Sequence, residues 1–422
     1  MPDHSSMGAS DRIAQRARRL LVCFSLAIGC PAGVLSLAAV ASASGARFGL
    51  GLEEIAAQVL MQEHSLVLAV PALPALVSGV VAARIMSRKL LGSLCALAGG
   101  VGIAAAILPL AQAWVIRPGL EAQLRSTLGT DYDLRAMRAP VRNPSSPFDL
   151  VTWLNIPTVE EVPVQTEEVV YSAEGGLELH MDVYLADEEG PRPLLLLIHG
   201  GGLVGGNRGD VRNWAVYYAG QGYLAAAVEY RLAPASYLPE PLHDAQRAVL
   251  WLRDRAVQYG ADPRWVGVIG FSSGGHLALL LGYAGAMGYC PPGALAGDCG
   301  VEAVVAVAPV TDLAFYSPDV LGRGSVEDAP GGPPLSPMEL AAAGRPSPPV
   351  MIVQGLRDPV VRHEQTDRFV AAAQGHNPIV YVQIPWGGHL FHVMPGGLGT
   401  QVSRYLIDRF LAWSQTENPF RQ

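Results

Sequence analysis

The sequence predicts an α/β domain, built on a mostly parallel twisted sheet, behind an N-terminal bundle of about three transmembrane helices. Half of the 422 residues are hydrophobic, and within the first 116 residues they form long, nearly uncharged runs. From about Glu167 onward, short apolar runs typical of buried strands alternate with stretches of helical spacing. We therefore expect a membrane region over 1–116, a linker or cap over 117–165, and the α/β domain over 166–422.

Three apolar segments, near 20–43, 65–86 and 90–116, are each long enough for a helix of about 20 residues to cross a bilayer. Basic residues precede the first segment and separate the second from the third, so the positive-inside rule predicts a cytoplasmic N-terminus. Three spans then place the α/β domain outside the cytoplasm, with the lipid bilayer as a partner. Two alternatives remain open: a signal peptide cleaved near residues 41–44, or soluble helices packed on the α/β domain.

Charge and cysteine content narrow the possible ligands. The formal net charge is −8 and no long basic run is present, so nucleic-acid binding is not expected. Cys290 and Cys299 flank a loop without a neighbouring His or Cys at zinc spacing, so no metal site is expected. In an oxidising compartment the two cysteines are expected to form a disulfide. Two free thiols are the alternative.

The α/β domain opens with a hairpin signal, in which Glu167–Ser172 and Leu177–Leu185 flank Glu174-Gly175-Gly176. Buried-strand candidates follow at Leu194–Ile198, Leu224–Tyr230, Val266–Ile269, Val304–Ala308, Val350–Gln354 and Ile379–Ile384. Helical spacing marks Leu242–Leu252, Leu277–Leu281 and Val402–Trp413. An antiparallel hairpin followed by such alternation predicts a mostly parallel sheet covered by helices on both faces.

A serine lies at the centre of Gly270-Phe271-Ser272-Ser273-Gly274-Gly275, between the predicted strand Val266–Ile269 and a helical run from Leu277. A serine on a sharp strand-to-helix turn is exposed at the carboxyl edge of the sheet, as in a nucleophile elbow. Gly270 and Gly274 fit such a turn because a Cβ there would clash. The pattern therefore makes Ser272 the candidate nucleophile.

A second motif, His199-Gly200-Gly201-Gly202, directly follows the strand Leu194–Ile198. Glycines allow backbone N–H groups to turn toward a bound oxyanion, and such donors must lie about 3 Å from that oxygen. His199 is expected to be structural.

With both motifs in this order, followed by Tyr230-Arg231-Leu232-Ala233-Pro234 and Asp244, the sequence over roughly 165–415 resembles the hormone-sensitive-lipase-like and feruloyl-esterase-like branch of the α/β-hydrolases. The resemblance implies the α/β-hydrolase fold and a Ser-His-Asp triad without a cofactor. It also implies that the N–H groups of Gly201, Gly202 and Ser273 are the oxyanion donors. It does not cover the membrane segments.

The acid and the base should follow the nucleophile along the chain. Asp358 follows the strand Val350–Gln354 and His389 follows the strand Ile379–Ile384, in positions that match the family's acid and histidine loops. The interval between Asp358 and His389 leaves room for one helix and one strand. His392 and Asp312 are the alternatives for the base and the acid, whereas His276 is expected to point along its helix and Asp244 to be structural.

These residues predict a serine carboxylesterase, lipase-like, that acts through an acyl-enzyme on a small-molecule or lipid ester. The preference for short-to-medium acyl chains is implied by the resemblance alone. The same residues leave open an amidase or formamidase, an acyltransferase, or a catalytically silent binding protein. They do not determine the oligomeric state.

Overall fold

The computed structural model describes residues 20, 23, 31–34, 59, 63–85, 89–142, 147–154, 163–187, 190–294, 299–315, 335–376 and 378–416. The chain divides into two compact units, Met1–Val115 and Ile116–Gln422. The first predicted span, 20–43, lies almost wholly outside the described residues.

The first unit contains helix α1 (Ala69–Ile85), preceded by a 3-10 turn at Ser65–Leu68, and most of helix α2 (Lys89–Leu128). Among the described residues, only the helix over Leu90–Leu128 is long and apolar enough to cross a membrane, whereas α1 is apolar but shorter. The predicted bundle of three spans is therefore not established. Helix α2 also continues twelve residues beyond Ile116, into the predicted linker.

Helices α1 and α2 approach each other backbone to backbone. A Cβ on Gly79 would lie 2.3 Å from the backbone N of Ala96, and a Cβ on Gly99 would lie 2.3 Å from that of Leu76. Ala72 is fully buried, like most alanines on these inner faces. Large apolar side chains point outward from the same two helices: Val70, Leu73, Val77, Leu90, Leu94, Leu97 and Ile107. This arrangement is the reverse of a soluble amphipathic helix, which buries its large apolar residues.

The second unit is built on an eight-stranded sheet in the order β1-β2-β4-β3-β5-β6-β7-β8. The strands are β1 (Val164–Ser172), β2 (Leu179–Ala186), β3 (Arg192–Ile198), β4 (Leu224–Val228), β5 (Ala261–Phe271), β6 (Ala303–Val307), β7 (Val350–Gly355) and β8 (Ile379–Ile384). β2 pairs antiparallel with β1 and β4, and every other pair is parallel. The predicted hairpin and mostly parallel sheet are confirmed.

Eight further helices belong to the described part of this unit after α2. They are α3 (Tyr132–Ala136), α4 (Leu150–Leu154), α5 (Arg212–Gly220), α6 (Glu240–Arg255), α7 (Ser273–Ala286), α8 (Pro337–Ala342), α9 (His363–Ala373) and α10 (Leu398–Thr416). The three predicted helical patterns lie in α6, α7 and α10. As expected, one helix and one strand, α9 and β8, separate Asp358 from His389. Several boundaries differ from prediction: α7 begins at Ser273, before Leu277, β5 begins at Ala261, before Val266, and β4 ends at Val228, before Tyr230.

The centre of the sheet positions the site. Residues Leu194–Ile198 of β3 are fully buried between β4 and β5, because helices cover both faces of the sheet. The carboxyl ends of parallel strands meet at one edge of such a sheet, where α/β proteins bind their ligands. The loops that follow β3, β5, β7 and β8 therefore leave the sheet at the same edge.

A carboxylate is buried behind the sheet on α10. Asp408 is 2% exposed, and the hydroxyl of Tyr217 donates a hydrogen bond of 2.5 Å to its Oδ2. Tyr218, Arg404 and Arg409 are the other titratable groups that shift its pKa, and Asp408 in turn acts on Tyr223. Burial raises the pKa of Asp408 to about 7, an effect that Tyr217 and Arg404 only partly offset.

This raised pKa predicts a stability that falls with pH. The folded protein binds a proton that the unfolded chain releases near pH 4, so stability declines between about pH 4 and pH 7. Asp408→Asn should therefore raise the melting temperature by several degrees at pH 8 and much less at pH 5, as measured by thermal unfolding. Asp262→Asn, at an ion pair with Arg264, should give no such pH-dependent gain. An equal shift at both pH values for Asp408→Asn would contradict this account.

Candidate active site

Ser272 occupies a strained turn between β5 and α7. Its backbone has φ +55° and ψ −117°, a conformation that non-glycine residues rarely adopt and that often marks functional sites. The flanking glycines are required by contact: a Cβ on Gly270 would lie 2.0 Å from the carbonyl O of Gly274, and one on Gly274 would lie 2.3 Å from that of Ile198. Because α7 begins at Ser273, its positive end lies directly beside the serine.

The structure brings the three predicted residues together. His389 Nε2 lies 3.0 Å from Ser272 Oγ, and His389 Nδ1 lies 2.7 Å from Asp358 Oδ2. The Asp358 side chain is fully buried, and that of His389 is 12% exposed. With the Nδ1 proton donated to the carboxylate, Nε2 is available to accept the serine proton. This order of contacts is the one that nucleophilic acyl transfer needs.

The carboxylate is itself held by the acid loop. Asp358 Oδ1 accepts hydrogen bonds from the backbone N–H groups of Val360 and Val361, both at 2.8 Å. Gln354 Nε2 donates to Oδ2 at 3.3 Å and to the carbonyl of Val361 at 3.0 Å. These contacts fix the carboxylate so that Oδ2 faces His389. Gln354 was not predicted as a site residue, although a polar residue near the end of an otherwise apolar buried strand was the available signal.

The glycine loop after β3 is tied to the serine turn. Gly201 and Gly202 have φ +119° and +67°, and a Cβ on Gly201 would lie 2.0 Å from the carbonyl O of Gly205. Leu203 N donates to Ser273 Oγ at 3.3 Å, which joins the loop to the first residue of α7. The N–H groups of Gly201, Gly202 and Ser273 donate to no acceptor within the described ranges. The donors implied by the resemblance are thus available to a substrate oxygen.

His199 does not belong to the hydrogen-bonded set of Ser272, His389 and Asp358, in keeping with the structural role expected for it. Its Nδ1 donates to the carbonyl of Gly200 at 2.7 Å, and its ring stacks on Tyr230 with centroids 4.4 Å apart. The hydroxyl of Tyr230 donates to the His199 carbonyl at 3.0 Å. Burial lowers the pKa of His199 below its usual value. The residue therefore supports the glycine loop as a neutral imidazole.

The alternative histidines do not take the place of His389. His392 stacks on Phe271 with ring centroids 4.8 Å apart, and burial lowers its pKa to about 3. His276 Nδ1 donates to the carbonyl of Val310 at 3.0 Å, and burial lowers its pKa to about 4. Neither imidazole is hydrogen-bonded to Ser272.

The alternative acids are also occupied elsewhere. Asp312 Oδ1 accepts from the N–H of Ala314 in its own turn. Asp244 is almost fully buried, and its carboxylate accepts hydrogen bonds from Nε and NH2 of Arg231, both at 2.8 Å. Asp244 therefore fixes the segment after β4, which agrees with the predicted structural role.

Ser272 and His389 lie in the wall of a cavity of about 730 Å³. The remaining wall is mostly apolar and is formed by Val211, Trp214, Phe271, Val310, Val360, Val361, Leu390 and Val393 with the glycines of the loop. Asp210, Asn213 and His392 are its other polar members. Such a surface accommodates an uncharged, largely apolar group next to the serine.

The two cysteines of this unit are bonded. Cys290 and Cys299 form a disulfide with a Cα–Cα distance of 5.8 Å. Among the described residues, no group of three or more His, Cys, Asp or Glu side chains is arranged to hold a metal ion.

The fold and the serine, histidine and aspartate at its edge define an α/β-hydrolase domain. A family model described as BD-FAE matches residues 181–372, within this domain. Esterase LipC of Mycobacterium tuberculosis is 30% identical over 226 residues, which cover 49% of this chain and 55% of LipC. The probable carboxylic ester hydrolase LipM of the same organism is 27% identical over 263 residues, which cover 57% of this chain and 59% of LipM. The chain thus spans little more than half the length of these curated relatives.

A solved structure supports the same placement. Thermogutta terrifontis esterase 2 phosphoramylated by tabun is 26% identical with a TM-score of 0.50, and the match covers 60% of this chain and 96% of that one. These similarities support the esterase branch of the α/β-hydrolases, as the motifs of the domain implied.

Proposed function

We propose that this protein is a serine carboxylic ester hydrolase that acts through an acyl-enzyme. The observation that carries the proposal is the continuous hydrogen-bonded series from Asp358 through His389 to Ser272, beside backbone N–H groups that have no acceptor among the residues the structure describes. The esterase relatives support the same reaction class.

The geometry assigns a role to each group. His389 Nε2 accepts the proton of Ser272 Oγ as this oxygen attacks the ester carbonyl, while Asp358 stabilises the imidazolium. The N–H groups of Gly201, Gly202 and Ser273 stabilise the oxyanion, each by roughly 3 kcal/mol. His389 then protonates the departing alcohol, and water attacks the acyl-enzyme with His389 again as the base. No metal or organic cofactor takes part in these steps.

We propose uncharged esters as substrates, and the family resemblance adds a preference for short-to-medium acyl chains. Apart from the reacting residues, the charged member of the cavity is the carboxylate of Asp210, and no Lys or Arg is among its described lining residues. An anionic substrate would therefore be desolvated without a cation to pair with it.

An amide would form the same acyl-enzyme, so the bond that is cleaved is decided by comparing the hydrolysis rates of an ester and an amide with the same acyl group. We expect faster hydrolysis of the ester.

Active-site labelling tests the proposal. Wild-type protein should react with a fluorophosphonate probe, and Ser272→Ala should lose both this labelling and about 10⁴-fold or more in kcat/KM. Ser273→Ala keeps the backbone amide and should still be labelled. A folded wild-type protein that neither reacts with the probe nor hydrolyses esters would support a silent binding protein instead.

We also infer that the first unit anchors the enzyme in a bilayer. Small residues at the α1–α2 contact with large apolar residues outside are the pattern expected when helices face lipid. Helix α2 supplies a segment long enough to span the hydrocarbon core. The Cys290–Cys299 disulfide is consistent with a catalytic domain in an oxidising compartment.

This topology predicts the outcome of protease treatment. Protease added to intact cells should degrade the region after Ile116, whereas a cytoplasmic control protein should remain intact. The membrane fraction should retain the protein after alkaline carbonate extraction. Full protection of the catalytic domain in intact cells, with cleavage only after lysis, would contradict the outside location and leave the esterase proposal untouched.

A further inference from the structure

One large aromatic ring closes a side of the cavity that contains Ser272. Trp214, near the start of α5, is 3% exposed and lines this cavity. Its Nε1 donates a hydrogen bond of 3.0 Å to the carbonyl of His392, and its ring centroid lies 5.1 Å from that of Phe271. Since Phe271 also stacks on His392, these three rings form one continuous wall.

The wall is supported from outside the cavity by an arginine of α10. The guanidinium carbon of Arg404 lies 5.0 Å from the centroid of the Trp214 ring and 4.1 Å from that of Tyr217. Arg404 NH2 donates to the carbonyl of Asn213 at 3.3 Å, and NH1 donates to that of Pro395 at 3.5 Å. One side chain therefore holds α5 and the segment after His392 together. The indole cannot turn away without losing its own hydrogen bond and this stacking.

The rest of the lining is smaller or less confined. The glycine loop adds almost no side-chain volume, and Val360 and Val393 are about half exposed. Trp214 is by far the largest of the lining side chains and one of the most deeply buried. A substrate group that extends toward it meets a rigid ring, whereas one that extends toward the valines meets open solvent.

We propose that Trp214 is a specificity-determining residue that limits the length of the apolar group next to the reacting ester. This inference rests on the proposed esterase function and deepens it. The preferred substrates are uncharged esters whose group on this side is short. A longer group binds poorly because the indole occupies the space that its terminal methylenes need, and misfits of this size change kcat/KM by about tenfold or more.

Two series of esters test the proposal on the full-length protein. The first keeps p-nitrophenol as the alcohol and varies the acyl chain from acetyl to decanoyl. The second keeps butyrate as the acid and varies a linear alcohol over the same lengths. If Trp214 limits one of the two groups of the ester, Trp214→Leu should raise kcat/KM for the longest members of one series about tenfold or more relative to its shortest members. Trp214→Phe should give a smaller change in the same series.

Trp265→Leu is the matched control, because Trp265 is 8% exposed and is not among the residues that line the cavity. It should lower stability without changing either length profile. If Trp214→Leu fails to fold, Trp214→Phe alone still has to shift one profile. Unchanged profiles in both series for a folded Trp214 variant would overturn the inference. Wild-type protein without hydrolysis of any ester would instead refute the proposed function.

Discussion

Replacement of His389 by alanine is expected to lower kcat/KM by roughly 10⁴- to 10⁶-fold with little change in stability. The imidazole is the only described side chain that contacts both Ser272 Oγ and Asp358 Oδ2, so no neighbouring group can accept the serine proton. Steady-state hydrolysis of a p-nitrophenyl ester measures the loss. The double variant Ser272→Ala/His389→Ala should be no slower than either single variant, because groups that act as a unit are not additive.

His392→Gln is the control for this prediction. His392 lies three residues further along the same loop, but its ring stacks on Phe271 and its lowered pKa keeps it neutral. This variant should lose far less activity than His389→Ala. A large loss for His392→Gln together with a small loss for His389→Ala would reverse the assignment of the base.

The convergence of the three candidate residues was predictable from the sequence because each of them directly follows a strand end. Ser272, Asp358 and His389 each come after a short apolar run that forms a parallel strand, and parallel strands deliver their loops to one edge of the sheet. The order of residues along the chain therefore determined their convergence in space. The glycines at 270 and 274 were also predictable, since a tight turn leaves no volume for a Cβ.

Features that depend on contacts between distant segments were not predictable in this way. Helix α5 is short and buried on most of its surface, so its residues lack the amphipathic period that identifies a surface helix. Trp214 was therefore not predicted to line the cavity, and its position in the cavity wall depends on Arg404, 190 positions away along the chain. The extension of helix α2 past Ile116 is a local feature instead: the apolar run ends there, and Arg117 pairs with Glu121 one helical turn further on.

A substitution in the glycine loop should also lower the activity strongly. Gly201→Ala is expected to lower kcat by roughly 10²- to 10³-fold, with a small change in KM. Gly201 has φ +119°, and an added Cβ would meet the carbonyl O of Gly205 at 2.0 Å, so the loop must shift and move its N–H groups away from the oxyanion position. Since Gly201 is exposed at the surface, the protein should still fold. Gly205→Ala is the matched variant in the same loop, because a Cβ there meets nothing closer than 3.9 Å. Gly205→Ala should retain most of the activity. Equal losses for the two variants would contradict the assignment of the effect to displaced oxyanion N–H groups, because any side chain in the loop would then lower the activity.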